Sequence, residues 1–168
     1  MITVEALFRS HAADVLAYAL RRTDAASAED VVSEVFLVAG RRLDTIPEQH
    51  ALLWLYGVAR RVLANQRRGE RRRVALTSAL GRLQRDSVDD PGRGAGLLEA
   101  LAALRPADRE ALMLVAWEGL DAGQAAVVLG CSADAMYVRL HRARARLQAE
   151  MTQRGAVSVP TVRSEATR

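Results

Sequence analysis

Apolar side chains recur along this chain at spacings of three and four residues, the period of helices that bury one face. Val4, Leu7, Phe8, Val15 and Ala19 keep that spacing and predict a first helix. Ser27 and Asp30 form a Ser-x-x-Asp cap ahead of Val31, Val35 and Val38, which predicts a second. After a turn marked by Pro47 the period resumes from about His50 to Arg73 as a third helix. Leu97 to Leu104 predicts a short fourth helix, and Pro106, suited to a first helical turn, opens a fifth that reaches Glu118 and ends at Gly119. Two shorter helices follow. The period fails across Arg82 to Gly96 (RLQRDSVDDPGRGAG), where Asp-Asp-Pro and three glycines crowd together, and again from Gln153 onward. These breaks predict a linker and a disordered tail.

Composition supports an all-α chain. Half of the 168 residues are apolar, with only 4% aromatic and four prolines, a mixture suited to closely packed helices. No apolar run approaches the roughly 18 residues a bilayer demands, and no charged-then-apolar export signal opens the chain, so a cytoplasmic protein without membrane insertion is expected. A single cysteine, Cys131, and three scattered histidines give neither a disulfide nor a zinc cluster. No cofactor, metal or small-molecule substrate is implied.

The net charge of +4 conceals an alternation. Residues 1–50 carry −3, residues 51–85 carry +8, residues 86–134 carry −6 and residues 135–168 carry +5. Every basic residue is arginine. Two basic blocks fit two surfaces for a polyanion, and charge runs alone fit solvated helix faces equally well. Their position on the helices matters more. At about 100° per residue, Leu52, Leu55, Val58, Ala59, Val62 and Leu63 fall on one side of the third helix and Arg60, Arg61, Arg67, Arg68 and Arg71 on the other. Trp54 and Tyr56 fall at the edges, where rings can offer stacking surfaces to unpaired bases while the arginines hold phosphates.

Residues 120–147 (LDAGQAAVVLGCSADAMYVRLHRARARL) have the parts of a helix-turn-helix in order. Asp121 and Gln124 suit a reciprocal cap, Gly130 a turn and Ser132 a second cap. Met136, Leu140, Ala143 and Leu147 share the buried side of the second helix. Tyr137, Val138, Arg139, His141, Arg142 and Arg146 lie around the remainder, where such helices meet the major groove and the backbone.

Three motifs in this order resemble the extracytoplasmic-function sigma factors, small promoter-specificity subunits of bacterial RNA polymerase. AEDVVSEVFLVA at 28–39 resembles the family's polymerase-binding segment, WLYGVARRVLANQRRGERRR at 54–73 its melting and −10 recognition segment, and LGCSADAMYVRLHRARARL its −35 recognition helix. The resemblance implies two small helical domains joined by a flexible linker: region 2 at 1–75, a linker at 76–96, region 4 with its helix-turn-helix at 97–151, and a tail at 152–168. It implies that Asp30, Ser33 and Glu34 contact the β′ clamp helices of core RNA polymerase, with the β subunit as a further contact. Trp54, Tyr56, Arg60 and Arg61 would hold the separated −10 strand, with Arg67 and Arg68 on the same basic face, and the loop from Asp44 to Ala51 would receive a flipped base. Tyr137, Val138, Arg139, His141, Arg142 and Arg146 would engage the −35 element, with Arg109 at a supporting phosphate. Val138 cannot donate a hydrogen bond, so methyl contacts or DNA shape would carry part of that recognition. An anti-sigma factor is the further partner implied.

The alternative is a conventional helix-turn-helix regulator that binds duplex DNA as a dimer. It explains the second basic block and leaves the first without a role. An RNA-binding protein would use similar basic helices, yet no RNA-module signature is present. An enzyme is not expected: Cys131 or Ser132 with His141 is the best nucleophile and base available, and the wheel puts His141 on the outer face.

Overall fold

In the computed structural model the described residues are 3–78 and 95–154. They form seven α-helices and no strand: α1 Val4–Leu20, α2 Ala25–Arg41, α3 Ala51–Ser78, α4 Ala95–Ala103, α5 Pro106–Ala116, α6 Ala122–Leu129 and α7 Ala133–Gln153. Most of the expected linker and nearly all of the expected tail lie outside the described residues. None of the seven helices is long and apolar enough to cross a membrane.

Local chemistry accounts for most helix ends. The Thr3 hydroxyl accepts from the Ala6 N–H and starts α1. The cap of α2 differs from the sequence expectation, because Asp24 takes the N-cap position in place of Ser27. Its carboxylate accepts from the Ser27 N–H at 3.0 Å and the Ser27 hydroxyl at 2.8 Å, and these bonds hold its pKa below the usual carboxylate value. Asp and Ser are comparable caps, and the earlier one wins because it adds a first turn rich in alanine, the best helix former. Two short 3₁₀ turns, Leu43–Thr45 and Glu48–His50, flank Pro47 and reverse the chain into α3. That helix runs to Ser78, beyond the expected end at Arg73.

The helix-turn-helix follows its sequence signals. Asp121 and Gln124 form a reciprocal capping box, with bonds of 2.8 and 3.0 Å between side chains and backbone. Gly130 has φ +67°, a left-handed conformation that a side chain would strain, and so ends α6. Ser132 then caps α7 by accepting from the Ala135 N–H.

Helices α1, α2 and α3 pack together around Val15, Tyr18, Val31, Val35, Leu55 and Ala59. Helices α4 to α7 pack around Ala111, Leu114, Ala125, Val128, Met136 and Leu140. Buried alanines at many of these contacts let helix axes approach closely. The two helical groups are also in contact, because α6 lies across α3. A Cβ on Gly57 would meet the Val128 carbonyl oxygen at 4.0 Å, and the buried residues of both groups join into one cluster.

Candidate nucleic-acid interface

Asp30, Ser33 and Glu34 are exposed on one face of α2, since spacings of three and four share a helix face. The Ser33 hydroxyl donates back to the Glu29 carbonyl of its own helix at 3.1 Å, so the two carboxylates dominate that face. Glu34 also lines a cleft of about 400 Å³ between α2 and α3, together with Arg41, Arg42, Trp54, Arg61 and Asn65. Half-exposed Trp54 and exposed Arg61 therefore share a cleft with a residue that sequence reasoning had assigned to a different surface.

The remaining arginines of α3 diverge. Arg67 donates to the Arg22 carbonyl at 3.1 Å and lines a second cleft, of about 500 Å³, with Asp24, Asp30 and Gln66. Arg68 donates to Asn65 Oδ1 at 2.7 Å. Arg60 is half-buried. Tyr56 departs from the expected edge position: it is only 3% exposed and stacks on Tyr18 with ring centroids 4.9 Å apart. The physical reason is a second packing surface on the side the wheel had left to solvent, where the ring stacks on Tyr18 of α1 and its hydroxyl lies near Asp14, Arg21, Arg22 and Glu118. In this arrangement Tyr56 offers no free ring to a base. Burial pushes its hydroxyl pKa up to about 12.

On α7 the buried side chains are Met136, Leu140 and Ala143, with Leu147 partly buried against them. Tyr137, Val138, His141 and Arg142 are exposed, and Arg139 is half-buried. Val138, Arg139, Arg142 and Arg146 meet in a cleft of about 480 Å³ between the start of α5 and residues 134–146 of α7. Tyr137 and His141 stand outside this cleft on the adjoining surface. Arg105 lines it too, a residue that sequence reasoning missed although its place just before Pro106 puts it at the mouth of α5. Arg109, the expected supporting contact, is half-buried and does not line it. Arg146 has a partner already, the carboxylate of Asp108, which is 7% exposed. Its guanidinium thus braces α7 against α5 as well as facing the cleft.

A second group went unforeseen, built from the end of α1 and from α5 with the residues that follow it. The Tyr18 hydroxyl donates to Glu110 Oε1 at 2.6 Å, and Arg22 Nε donates to both Glu110 oxygens at 3.0 and 3.1 Å. Arg22 also reaches Glu118 at 2.8 Å, and Arg21 reaches the other Glu118 oxygen at 2.6 Å. Its only sequence signal was the Arg-Arg pair closing α1.

No cluster of three or more metal-ligating side chains occurs among the described residues. Cys131 is a half-buried free thiol packed against the core beside the Gly130 turn.

Comparison with known proteins gives the following likenesses. Residues 7–73 match the family model described as Sigma-70 region 2, and residues 95–147 match Sigma-70, region 4. The ECF RNA polymerase sigma factor SigL of Mycobacterium tuberculosis is 33% identical over 160 residues, covering 90% of each chain. The ECF RNA polymerase sigma factor SigC of the same species is 32% identical over 155 residues, covering 88% of this chain and 82% of the relative. Among solved structures, the sigma factor RpoE of Bartonella quintana, in complex with the anti-sigma factor NepR, superposes with a TM-score of 0.69 at 23% identity, over 88% of this chain and 96% of that one. CnrH in complex with the cytosolic domain of CnrY gives 0.58 at 25% identity, over 89% and 88%.

Proposed function

This chain belongs to the extracytoplasmic-function sigma factors of RNA polymerase, and we propose how its own residues carry out that role. Region 2, at 1–75, docks on the β′ clamp helices of core polymerase through Asp30 and Glu34. The acidic character of residues 1–50 suits a basic protein surface rather than DNA. Trp54 and Arg61, in the cleft that also holds Glu34, hold the separated −10 strand, the ring replacing lost stacking and the guanidinium gripping phosphate. Arg60, Arg67 and Arg68 add backbone attraction along the same helix.

Region 4, at 97–151, places α7 in the major groove of the −35 element. Tyr137 and Val138, early in the helix, face base edges and thymine methyls. Arg139, Arg142 and Arg105 line a basic cleft that follows the phosphate backbone, His141 lies on the adjoining surface, and Arg146 holds the helix in place.

The chain acts without catalysis of its own; core polymerase makes the RNA, which puts its action in the cytoplasm. An anti-sigma factor is the second protein partner, since the superposable RpoE is held by NepR. The observation that carries this reading is the pairing, in one chain, of two helical units that each present an arginine-rich helix.

Run-off transcription with purified core polymerase tests it. Factor-dependent transcripts sharing two upstream elements, weakened by Asp30→Ala/Glu34→Ala, are expected. Protection of a duplex by the protein alone as a dimer, with no factor-dependent transcript, would overturn it.

A further inference from the structure

The arginine-rich cleft beside α7 also holds two carboxylates, Asp108 and Asp134. Asp108 is paired with Arg146. Asp134, in the first turn of α7, is exposed and shares the cleft with Arg105, Val138, Arg139 and Arg142. Carboxylates stand in the caps or first turns of α1, α2, α5 and α6 as well, and each has a partner: Glu5 pairs with Arg9, Asp24 bonds Ser27, Asp108 pairs with Arg146 and Asp121 shares a capping box with Gln124. The Asp134 carboxylate makes no ion pair or hydrogen bond among the described residues. Nor does α7 need it as a cap, because the Ser132 hydroxyl fills that role for the Ala135 N–H.

A fixed negative charge weakens a cleft that receives phosphates, unless it meets a donor on the nucleic acid. Phosphate oxygens only accept. In the major groove the donors are the N4 amino group of cytosine and the N6 amino group of adenine. Guanine presents N7 and O6 and thymine presents O4, all acceptors that repel a carboxylate. Adenine sets its N7 acceptor beside the amino group, whereas cytosine offers the donor alone. A carboxylate therefore favours cytosine.

Its position suits that contact. Asp134, Tyr137, Val138 and His141 follow one another at spacings of three and four and so share a face of α7. Asp134 is the N-terminal member of that face, and the N-terminal residues of a recognition helix are the ones that reach base edges. It precedes Val138 by about 6 Å along the helix axis, the length of about two base-pair steps.

We propose that Asp134 is a specificity-determining residue for the −35 element: its carboxylate accepts a hydrogen bond from the N4 amino group of a cytosine one or two base pairs from the base that Val138 touches, and it excludes guanine and thymine there. This deepens the sigma-factor reading and rests on it.

Run-off transcription by the full chain with purified core polymerase tests it, on a promoter library randomised across the −35 element and read by sequencing the transcripts. At one position the parent is expected to prefer cytosine over the other bases about fivefold or more. In Asp134→Ala that preference disappears, and templates with guanine or thymine there gain because the repelling charge is gone. In Asp134→Asn the preferred base becomes adenine, whose N6 and N7 an amide meets together. The base affected by Val138→Ala is a different one, one or two pairs away. Ratios between templates in one reaction do not depend on the amount of folded protein, so a variant of lower stability is still read. A carboxylate that served only the helix N-terminus would, once removed, lower all templates alike. That result, or a cytosine preference absent from the parent or unchanged in both Asp134 variants, would overturn the proposal and leave α7 as the −35 reader. A parent with no preference at any −35 position would overturn that reading and the proposal with it.

Discussion

Asp108, in the first turn of α5, is paired with Arg146, in the second half of α7, so that a buried carboxylate and a half-exposed guanidinium tie the two helices together. The carboxylate also suits the helix N-terminus, where free N–H groups favour negative charge. Removing the arginine leaves Asp108 buried without its cation. Because 44% of the Arg146 side chain is exposed, water screens the loss, and Arg146→Ala should destabilise the second unit by about 1–2 kcal/mol, below the cost of breaking a fully buried pair. Asp108→Asn/Arg146→Ala should recover most of it. Thermal unfolding of the three variants checks this, and an unchanged midpoint for Arg146→Ala would remove its bracing role.

The exposed residues of α7 divide by chemistry. Arg142 offers an exposed cation to phosphate, so Arg142→Ala should weaken binding to all duplexes about equally and reduce the salt slope of log affinity by about one. Tyr137 and Val138 sit early in the helix, where base edges are met. Tyr137→Ala or Val138→Ala should cost about 1–3 kcal/mol on the cognate −35 element and little on others. Affinities for cognate and scrambled duplexes across a salt series separate the two effects. Equal losses on both duplexes for Val138→Ala would assign recognition elsewhere.

The helix-turn-helix was legible because its signals are local. The Asp121–Gln124 box, the left-handed Gly130 and the Ser132 cap each depend on neighbours within three residues, and each occurs as the sequence indicated. The seam between the units was not legible. Tyr18 and Glu110 are 92 positions apart, and no period or cap links them. A helical wheel of α3 assumes one buried side, whereas Leu53, Tyr56 and Gly57 are buried in addition to the stripe through Leu55, Val58 and Val62. From Ala51 to Ala59 α3 is covered on two sides, and its basic face opens only from Arg61 onward.

That double burial makes Gly57 an informative position. A Cβ there would lie in ordinary contact, 4.0 Å from the Val128 carbonyl oxygen, with no other heavy atom of another element as near. Gly57→Ala should therefore fit, and by removing a glycine from a helix interior it should stabilise the protein by about 0.5–1 kcal/mol. Gly57→Leu has nowhere to place its branch without lifting α6 from α3. It should broaden the distance between spin labels at Glu29→Cys on α2 and Ala149→Cys on α7 of a Cys131→Ala chain while leaving helix content intact. Opposite effects from the two substitutions would locate the seam at this residue; a destabilising alanine would mean that the helices sit closer than described.

The two stacked tyrosines give the seam a pH dependence at the alkaline end. Burial, then the Glu110 carboxylate, raises the Tyr18 pKa well above its ordinary value near 10, and burial raises that of Tyr56 to about 12. Both groups are held neutral by the fold, so each contributes stability that is fully present below pH 10. Above that pH the unfolded chain loses protons that the folded chain retains, and stability falls by about 1.4 kcal/mol per pH unit for each tyrosine. The loss for Tyr56 ends near pH 12. Tyrosinate absorbance in a Tyr137→Phe chain isolates the two. Their ionisation should lag behind that of free tyrosine and then rise steeply as the units separate or unfold. A gradual titration centred near 10 in the parent chain would show that the tyrosines are not buried between the units.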